Sequence, residues 1–141
     1  MKKAIFAAGA LLLLYALPLL AASPVNDIEA LRQEARKLAV SGTRWIEIDA
    51  NEDGIIEHRM LLRPNGDKIY EEIDTTGDGN IDSLSYYSRG VLVREEIDTN
   101  GDGKVDLWVF IKDGVYVERY MRDTDYDGVV DVTKEYGPGK K

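Results

Sequence analysis

DTNGDGKVD, at residues 98–106, is the stretch that decides the fold of this 141-residue chain. Its pattern recurs in DANEDGIIE at 49–57, DTTGDGNID at 74–82 and DTDYDGVVD at 123–131, so the four stretches start 25, 24 and 25 residues apart. A shorter turn signal lies about midway between successive stretches, at Asn65-Gly66, Arg89-Gly90 and Asp113-Gly114. A repeat of this period predicts one supersecondary unit per repeat.

The segments between these turns have strand character. SLSYY at 83–87 matches LWVFI at 107–111, and Ile69, Val93 and Val117 recur after the short turns. We therefore predict a mainly β fold, an antiparallel meander of about eight short strands over residues 43–136, with all Asp-rich loops at one end of the sheet. Of the strands that run from a short turn to an Asp-rich loop, the last is one residue longer than the others. This extra residue predicts a bulge around Arg122.

One amphipathic helix is predicted over residues 26–41, ahead of the repeats. Ile28, Leu31, Ala35 and Leu38 recur at helical spacing, Asn26 or Asp27 is a suitable N-cap, and Gly42 is a suitable stop. The strand pattern makes both sheet faces partly apolar, because Trp108 and Phe110 alternate with Leu107, Val109 and Ile111. Either the helix covers one face or the sheet curls onto itself.

The Asp-rich loops place oxygen-bearing residues at alternate positions. Calcium prefers six to eight oxygen ligands, which a short loop can supply from its first, third, fifth, seventh and ninth residues, the seventh through its backbone carbonyl. A glycine occupies the sixth position in all four loops and permits a sharp bend. The predicted ligands of up to four calcium ions are Asp49, Asn51, Asp53, Ile55 and Glu57; Asp74, Thr76, Asp78, Asn80 and Asp82; Asp98, Asn100, Asp102, Lys104 and Asp106; and Asp123, Asp125, Asp127, Val129 and Asp131.

Plain turn chemistry is the alternative interpretation, because Asp-Gly is a common hairpin turn. It accounts for the glycine and one acid, but not for acids at the first, fifth and ninth positions of every loop. Such carboxylates repel one another unless a cation lies between them. Magnesium fits less well than calcium because it dehydrates reluctantly and demands octahedral geometry.

The loops resemble the DxDxDG calcium loops of EF-hands, dockerins and thrombospondin type 3 repeats, and their spacing is similar to that of secreted bacterial proteins with tandem EF-hand-like motifs. The resemblance covers residues 49–131 and implies calcium binding. It departs at the twelfth loop position, where an EF-hand has a bidentate Glu and this chain has Met60, Ser85, Val109 and Lys134. We therefore expect weak sites, with dissociation constants of about 10⁻⁴ to 10⁻³ M, tightest in the fourth loop and weakest in the second.

The N-terminus predicts export. Lys2 and Lys3 precede an apolar run, and residues 1–22 have the layout of a cleaved signal peptide, with an uncleaved membrane anchor as the alternative. Removing them leaves 16 basic against 26 acidic side chains. An acidic chain of this kind predicts no nucleic-acid partner and, after signal cleavage, no membrane partner. The absence of cysteine excludes disulfides and thiolate metal sites, and residues 137–141 read as a flexible tail.

Enzymatic chemistry has little support in the remaining residues. His58 is the single histidine and reads as an ordinary strand side chain, and no base accompanies the serines in sequence. The pairs Glu71-Glu72 and Glu95-Glu96 read as a solvated strand face, with Arg94 and Arg119 as cross-strand partners.

We expect a non-enzymatic, calcium-dependent structural or interaction module of the periplasm or cell exterior, with a cell-surface or periplasmic protein as a candidate partner. A dockerin-like module would require helices after the loops, and a carbohydrate-binding or protein-binding module would use an aromatic face. A carboxylate-based hydrolase would require paired acids away from the loops.

Overall fold

The computed structural model describes residues 25–137 and contains one helix followed by eight strands. The helix α1 spans Ile28–Arg36, and the strands are β1 Arg44–Ile48, β2 His58–Leu62, β3 Lys68–Ile73, β4 Ser83–Ser88, β5 Val91–Ile97, β6 Leu107–Lys112, β7 Tyr116–Arg122 and β8 Val132–Glu135. They form one antiparallel sheet in the order β1 to β8. The predicted mainly β meander is confirmed, whereas the predicted signal at 1–22 and most of the predicted tail lie outside the described residues.

The short turns fix the strand order. Arg89 and Gly90 have φ of 52° and 77°, and Asp113 and Gly114 have φ of 54° and 70°. Two consecutive left-handed residues are the mark of a type I′ turn, whose twist matches that of the paired strands. Because each hairpin closes at this end, the Asp-rich loops between hairpins gather at the opposite end of the sheet.

The predicted bulge on β7 lies near the short turn and not around Arg122. Ile111 pairs with Val117 and Phe110 pairs with Arg119, which leaves Glu118 as the extra residue. Equivalent register shifts occur in the hairpins β2–β3 and β4–β5. The bulge therefore recurs in the hairpins β2–β3, β4–β5 and β6–β7, near the start of the strand that follows each short turn.

The helix is shorter than the predicted range 26–41. Asp27 caps it, accepting a hydrogen bond from the Ala30 N–H at 2.8 Å. Past Arg36 the bonds contract to a tighter turn, since the N–H of Leu38 donates to the carbonyl of Ala35. Gly42, at φ 87°, then reverses the chain into β1. The predicted helix was too long because the helical spacing of apolar residues continues to Leu38, whereas the α-helix ends at Arg36.

The helix covers one face of the sheet, which decides between the two packing alternatives. Its Ile28 and Ala35 join a buried cluster with residues of the strands and loops: Leu61, Ile69, Tyr70, Ile81, Leu84, Val105 and Trp108. We call this the helix face. Ile81 and Val105 are the eighth residues of the second and third loops, so these loops are anchored in the core. The other side, which carries Leu107, Val109 and Val132, is called the outer face.

The acids read as a solvated strand face are mostly buried, which corrects that prediction. Glu72 is 1% exposed and receives hydrogen bonds from Arg32 and Tyr70. Glu96 is 3% exposed and contacts Arg94 of its own strand at 2.7 Å. A buried carboxylate requires partners that replace water, and here they come from the helix and neighbouring side chains.

Glu71, on the outer face, is also buried and also satisfied by its neighbours. It accepts hydrogen bonds from Lys68 at 2.7 Å, from the Tyr87 hydroxyl and from the ring of His58. Burial would raise the pKa of this carboxyl, but the donors from Lys68, Tyr87 and His58 outweigh it and lower the pKa. His58 is thus a hydrogen-bond partner of Glu71 within the sheet.

Candidate metal centre

The four Asp-rich loops share one hydrogen-bond pattern. The N–H of the sixth-position glycine donates to the first-position Asp at 2.7 or 2.8 Å in every loop. The second-position N–H donates to the ninth-position carboxylate at 2.6–2.8 Å. The seventh-position N–H donates to the fifth-position Asp at 2.8 or 2.9 Å. The carboxylates of the first, fifth and ninth positions are therefore oriented by the loop backbone itself.

Two left-handed residues create the curvature of each loop. The sixth-position glycine has φ between 84° and 90° in all four loops, as the bend requires. The fourth position is also left-handed, with φ of 63° at Glu52, 73° at Gly77, 76° at Gly101 and 62° at Tyr126. The sequence pattern does not reveal this second left-handed position, because two of its four residues are not glycine.

We expect Gly103→Ala to destabilise the fold by about 1–2 kcal/mol, because an L-residue resists a left-handed backbone. A Cβ at Gly103 would meet nothing within 4 Å, so the loss measures backbone strain and not a clash. Urea unfolding measures the change. Gly137→Ala is the matched control, since nothing lies within 4 Å there and its φ is not left-handed. Equal stability of the two variants would contradict the strain.

Three loops bring carboxylate oxygens together. One oxygen from each member of a triad lies within 4.8 Å of the others in the first, second and fourth loops. The triads are Asp49, Asp53 and Glu57; Asp74, Asp78 and Asp82; and Asp123, Asp125 and Asp131. The fourth triad uses the third-position Asp125 where the others use the fifth-position acid, so Asp127 stands outside it.

The third loop has the same sequence pattern but gathers no such triad among residues 25–137. Thr99 donates hydrogen bonds to both carboxylate oxygens of Asp106, one from its N–H and the other from its hydroxyl, each at 2.7 Å. In the second and fourth loops the equivalent threonines, Thr75 and Thr124, both use a single oxygen of the ninth-position Asp. The second-position threonine, which was not among the predicted loop residues, thus helps to orient the ninth-position carboxylate in three of the four loops.

The third loop is also the one that the N-terminal segment contacts. The N–H of Ile28 donates to the carbonyl of Gly103 at 3.1 Å, and the N–H of Val105 donates to the carbonyl of Asn26 at 2.6 Å. These two bonds flank an isolated bridge between Asp27 and Lys104. The start of the helix is therefore tied to this loop.

The remaining predicted ligands contribute neutral oxygens. The side-chain oxygens of Asn51 and Asn100 accept the N–H of the fifth-position Asp at 2.9 and 3.0 Å. The Thr76 hydroxyl donates to Asp74 at 3.2 Å. The seventh-position residues use their N–H groups within the loop, so their predicted role rests on their carbonyl oxygens; they are Ile55, Asn80, Lys104 and Val129.

The loop environment shifts the pKa of several acids. Burial would raise the pKa of Asp74, but the N–H donors of Gly79 and Gly77 outweigh it and lower the pKa. Loss of solvent and the neighbouring carboxylates of Asp127 and Asp131 raise the pKa of Asp125. The lowered pKa of Asp74 shows that the second loop stabilises a negative charge there. The raised pKa of Asp125 reflects repulsion between the acids of the fourth loop.

One carboxylate oxygen of the first loop is buried without a hydrogen-bond partner. Glu57 directs its Oε2 to the Ala50 N–H at 2.7 Å, while its Oε1 is inaccessible and contacts no donor. Leaving an acceptor buried and unpaired costs about 1–3 kcal/mol, and more for a charged group. Because Glu57 belongs to the first triad, this oxygen fits the donor set of a bound cation.

Comparisons with known proteins identify no family for this chain. No protein-family model matches it, and no curated protein does. Among solved structures, part of the chain is similar to the complex of accessory secretory proteins 1, 2 and 3 of Streptococcus pneumoniae, with a TM-score of 0.42 and 11% identity over 62% of this chain and 18% of that one. It is also similar to TarM, with a TM-score of 0.37 and 16% identity over 76% and 22% of the two chains.

A mutant of S. aureus TarM in complex with Fondaparinux, alpha-GlcNAc-glycerol and UDP gives a TM-score of 0.38 and 15% identity over 77% and 22%. The chain therefore spans about a fifth of the length of these structures. Likenesses this weak carry no argument about function. Between residues 25 and 137, no helix is both long and apolar enough to cross a membrane.

Proposed function

We propose that this chain is an exported calcium-binding repeat domain in which the Asp-rich loops hold calcium ions and the ions stabilise the sheet. The observation that carries the proposal is the recurrence of carboxylate triads within 4.8 Å in three loops of identical hydrogen-bond pattern. Acids held this close by the backbone repel one another, and a divalent cation removes the repulsion.

The chemistry of the donor set favours calcium. The loops offer carboxylate, amide, hydroxyl and backbone carbonyl oxygens, and the chain has no cysteine and a single histidine. Hard oxygen donors suit calcium or magnesium, whereas zinc and copper are bound mainly through sulfur and nitrogen. A flexible nine-residue loop suits calcium better, since magnesium demands near-ideal octahedral geometry.

Calcium would act here as a structural tie. The loops connect β1 to β2, β3 to β4, β5 to β6 and β7 to β8, so an ion in each loop would fix the connection between one hairpin and the next hairpin or edge strand. This role suits an exported protein, because sites of about 10⁻⁴ to 10⁻³ M fill only where calcium is millimolar. Export itself is inferred from the signal-like residues 1–22.

A calcium titration followed by amide NMR tests the proposal loop by loop. The sixth-position glycine N–H of each loop bonds to a first-position Asp, so its resonance reports on that loop; the reporters are Gly54, Gly79, Gly103 and Gly128. We expect saturable shifts at millimolar calcium, smaller ones with magnesium, and loss of the Gly79 response in Asp74→Asn/Asp82→Asn.

The control variant is Asp67→Asn/Asp113→Asn, which removes two charges from the tight-turn end of the sheet. It should leave all glycine responses intact. Calcium shifts that never saturate, or that weaken equally in both variants, would show that the acids form only a diffuse negative surface and would contradict specific sites.

A further inference from the structure

The sheet ends in two free edges. In the described part of the chain, β1 pairs only with β2 and β8 pairs only with β7. Both edge strands are well exposed: Ile48 of β1 is 39% exposed and Val132 of β8 is 37% exposed. An unpaired edge presents a row of N–H and C=O groups and is a template for another strand.

Every internal junction between repeats is made by the same backbone hydrogen bond. The first-position N–H of one loop donates to the ninth-position carbonyl of the loop before it. This bond joins Asp74 to Glu57 at 2.7 Å, Asp98 to Asp82 at 2.8 Å and Asp123 to Asp106 at 2.9 Å. Within residues 25–137 no such loop precedes the first or follows the last. The described residues therefore carry three complete junctions and the two halves of a fourth, the N–H of Asp49 and the carbonyl of Asp131.

The backbone N–H groups that point to the free side of β8 and of β1 alternate in step with the two halves of the fourth junction. The N–H of Tyr136 points inward and bonds to the carbonyl of Glu118, so alternation directs the N–H groups of Thr133 and Glu135 to the free side. On β1 the N–H groups of Glu47 and Trp45 are in phase with that of Asp49 and likewise point outward.

The internal junctions also define the register of such a pairing. In the internal hairpins, the residue after the ninth loop position pairs with the residue before the next loop, as His58 does with Ile73. Applied to the two ends, this rule sets Val132 opposite Ile48, Thr133 opposite Glu47, Lys134 opposite Ile46 and Glu135 opposite Trp45. No like charges stand directly opposite each other in this register.

A cross-strand row on the outer face continues across the same junction and is apolar at both of its ends. Cross-strand pairing places Ile48, Ile73, Ile97, Leu107 and Val132 in this row, with His58, Ser83 and Arg122 between them. An open apolar groove on this face ends at Val132 and Tyr136 of the free edge. A second copy would bring its Ile46 and Ile48 against that end and extend the row.

We propose that β8 of one copy pairs with β1 of a second copy, so that the protein associates head to tail and continues its own repeat. The interface is heterologous, because the two edges are different surfaces. An open assembly of any length keeps one free β1 edge at one end and one free β8 edge at the other, so it grows as a chain unless its curvature closes a ring.

Two proline variants block the two edges separately. Thr133→Pro removes an outward N–H of β8, and Glu47→Pro removes one of β1; proline is tolerated at an edge position whose N–H faces solvent. Thr133→Val is the matched control, since it keeps the N–H and the β-branched shape. Sedimentation velocity over a range of concentrations gives the mass, and circular dichroism verifies that each variant is folded.

We expect the purified protein and Thr133→Val to show masses that grow with concentration, and each proline variant alone to remain a monomer. An equimolar mixture of the two variants should form a dimer and nothing larger, because Thr133→Pro retains an intact β1 and Glu47→Pro retains an intact β8. A monomeric wild type at high concentration would overturn the proposal, as would a mixture that does not dimerise. Association of either variant by itself would point to a like-with-like edge or to another surface and would also overturn it.

Discussion

We expect the protein to melt at least about 15 °C higher in several millimolar calcium than in EDTA. A ligand that binds only the folded state and saturates its site tenfold adds about 1.4 kcal/mol. The three carboxylate triads would then contribute about 4 kcal/mol together. In a domain of this size each kcal/mol raises the melting temperature by about 4 °C or more.

Screening by salt is the effect that must be separated from binding, because any added ion weakens repulsion among exposed acids. Sodium chloride at equal ionic strength is therefore the control, with magnesium as a second. A rise that sodium chloride reproduces would attribute the stabilisation to screening. A rise selective for calcium, and reduced in Asp74→Asn/Asp82→Asn but not in Asp67→Asn/Asp113→Asn, would attribute it to the loops.

The sheet could be predicted because its information is local. Each short turn contains a glycine with positive φ, at Gly66, Gly90 or Gly114, and the sequence signals that glycine directly. The 24- or 25-residue period then carries the same unit along the chain, and an antiparallel meander is the simplest way to join such units. The loop pattern was predictable for the same reason, since the three hydrogen bonds that recur in every loop each lie within nine consecutive residues.

What the sequence did not reveal depends on distant contacts. Glu72 reads as an exposed strand residue beside Glu71, yet its partner Arg32 lies 40 positions earlier on the helix. The third loop has the same motif as the others, but its Asp106 is held by Thr99 and its backbone is tied to residues 26–28. A motif gives the available ligands, whereas the spacing of their oxygens depends on these surroundings.

Arg32→Met should destabilise the fold by about 3 kcal/mol, which is the second large effect we expect. Arg32 donates to the same oxygen of Glu72 through two nitrogens at 3.1 and 3.0 Å, and Glu72 is 1% exposed. Removing one member of a buried pair leaves an uncompensated charge, which typically costs about 3–5 kcal/mol. We take the lower end because Arg59 remains 3.8 Å from the same oxygen. Urea unfolding monitored by circular dichroism measures the loss.

The double variant Arg32→Met/Glu72→Leu separates the lost charge pair from lost packing. Replacing both members of a buried pair by apolar side chains of similar size is often neutral, so the double variant should regain most of the stability. Lys37→Met is the control at the end of the same helix and should leave the stability nearly unchanged. Lys37 and its partner Glu34 are both about 70% exposed, and exposed ion pairs contribute little. If the double variant is as unstable as Arg32→Met, the helix is held to the sheet by the packing of the Arg32 side chain and not by its charge.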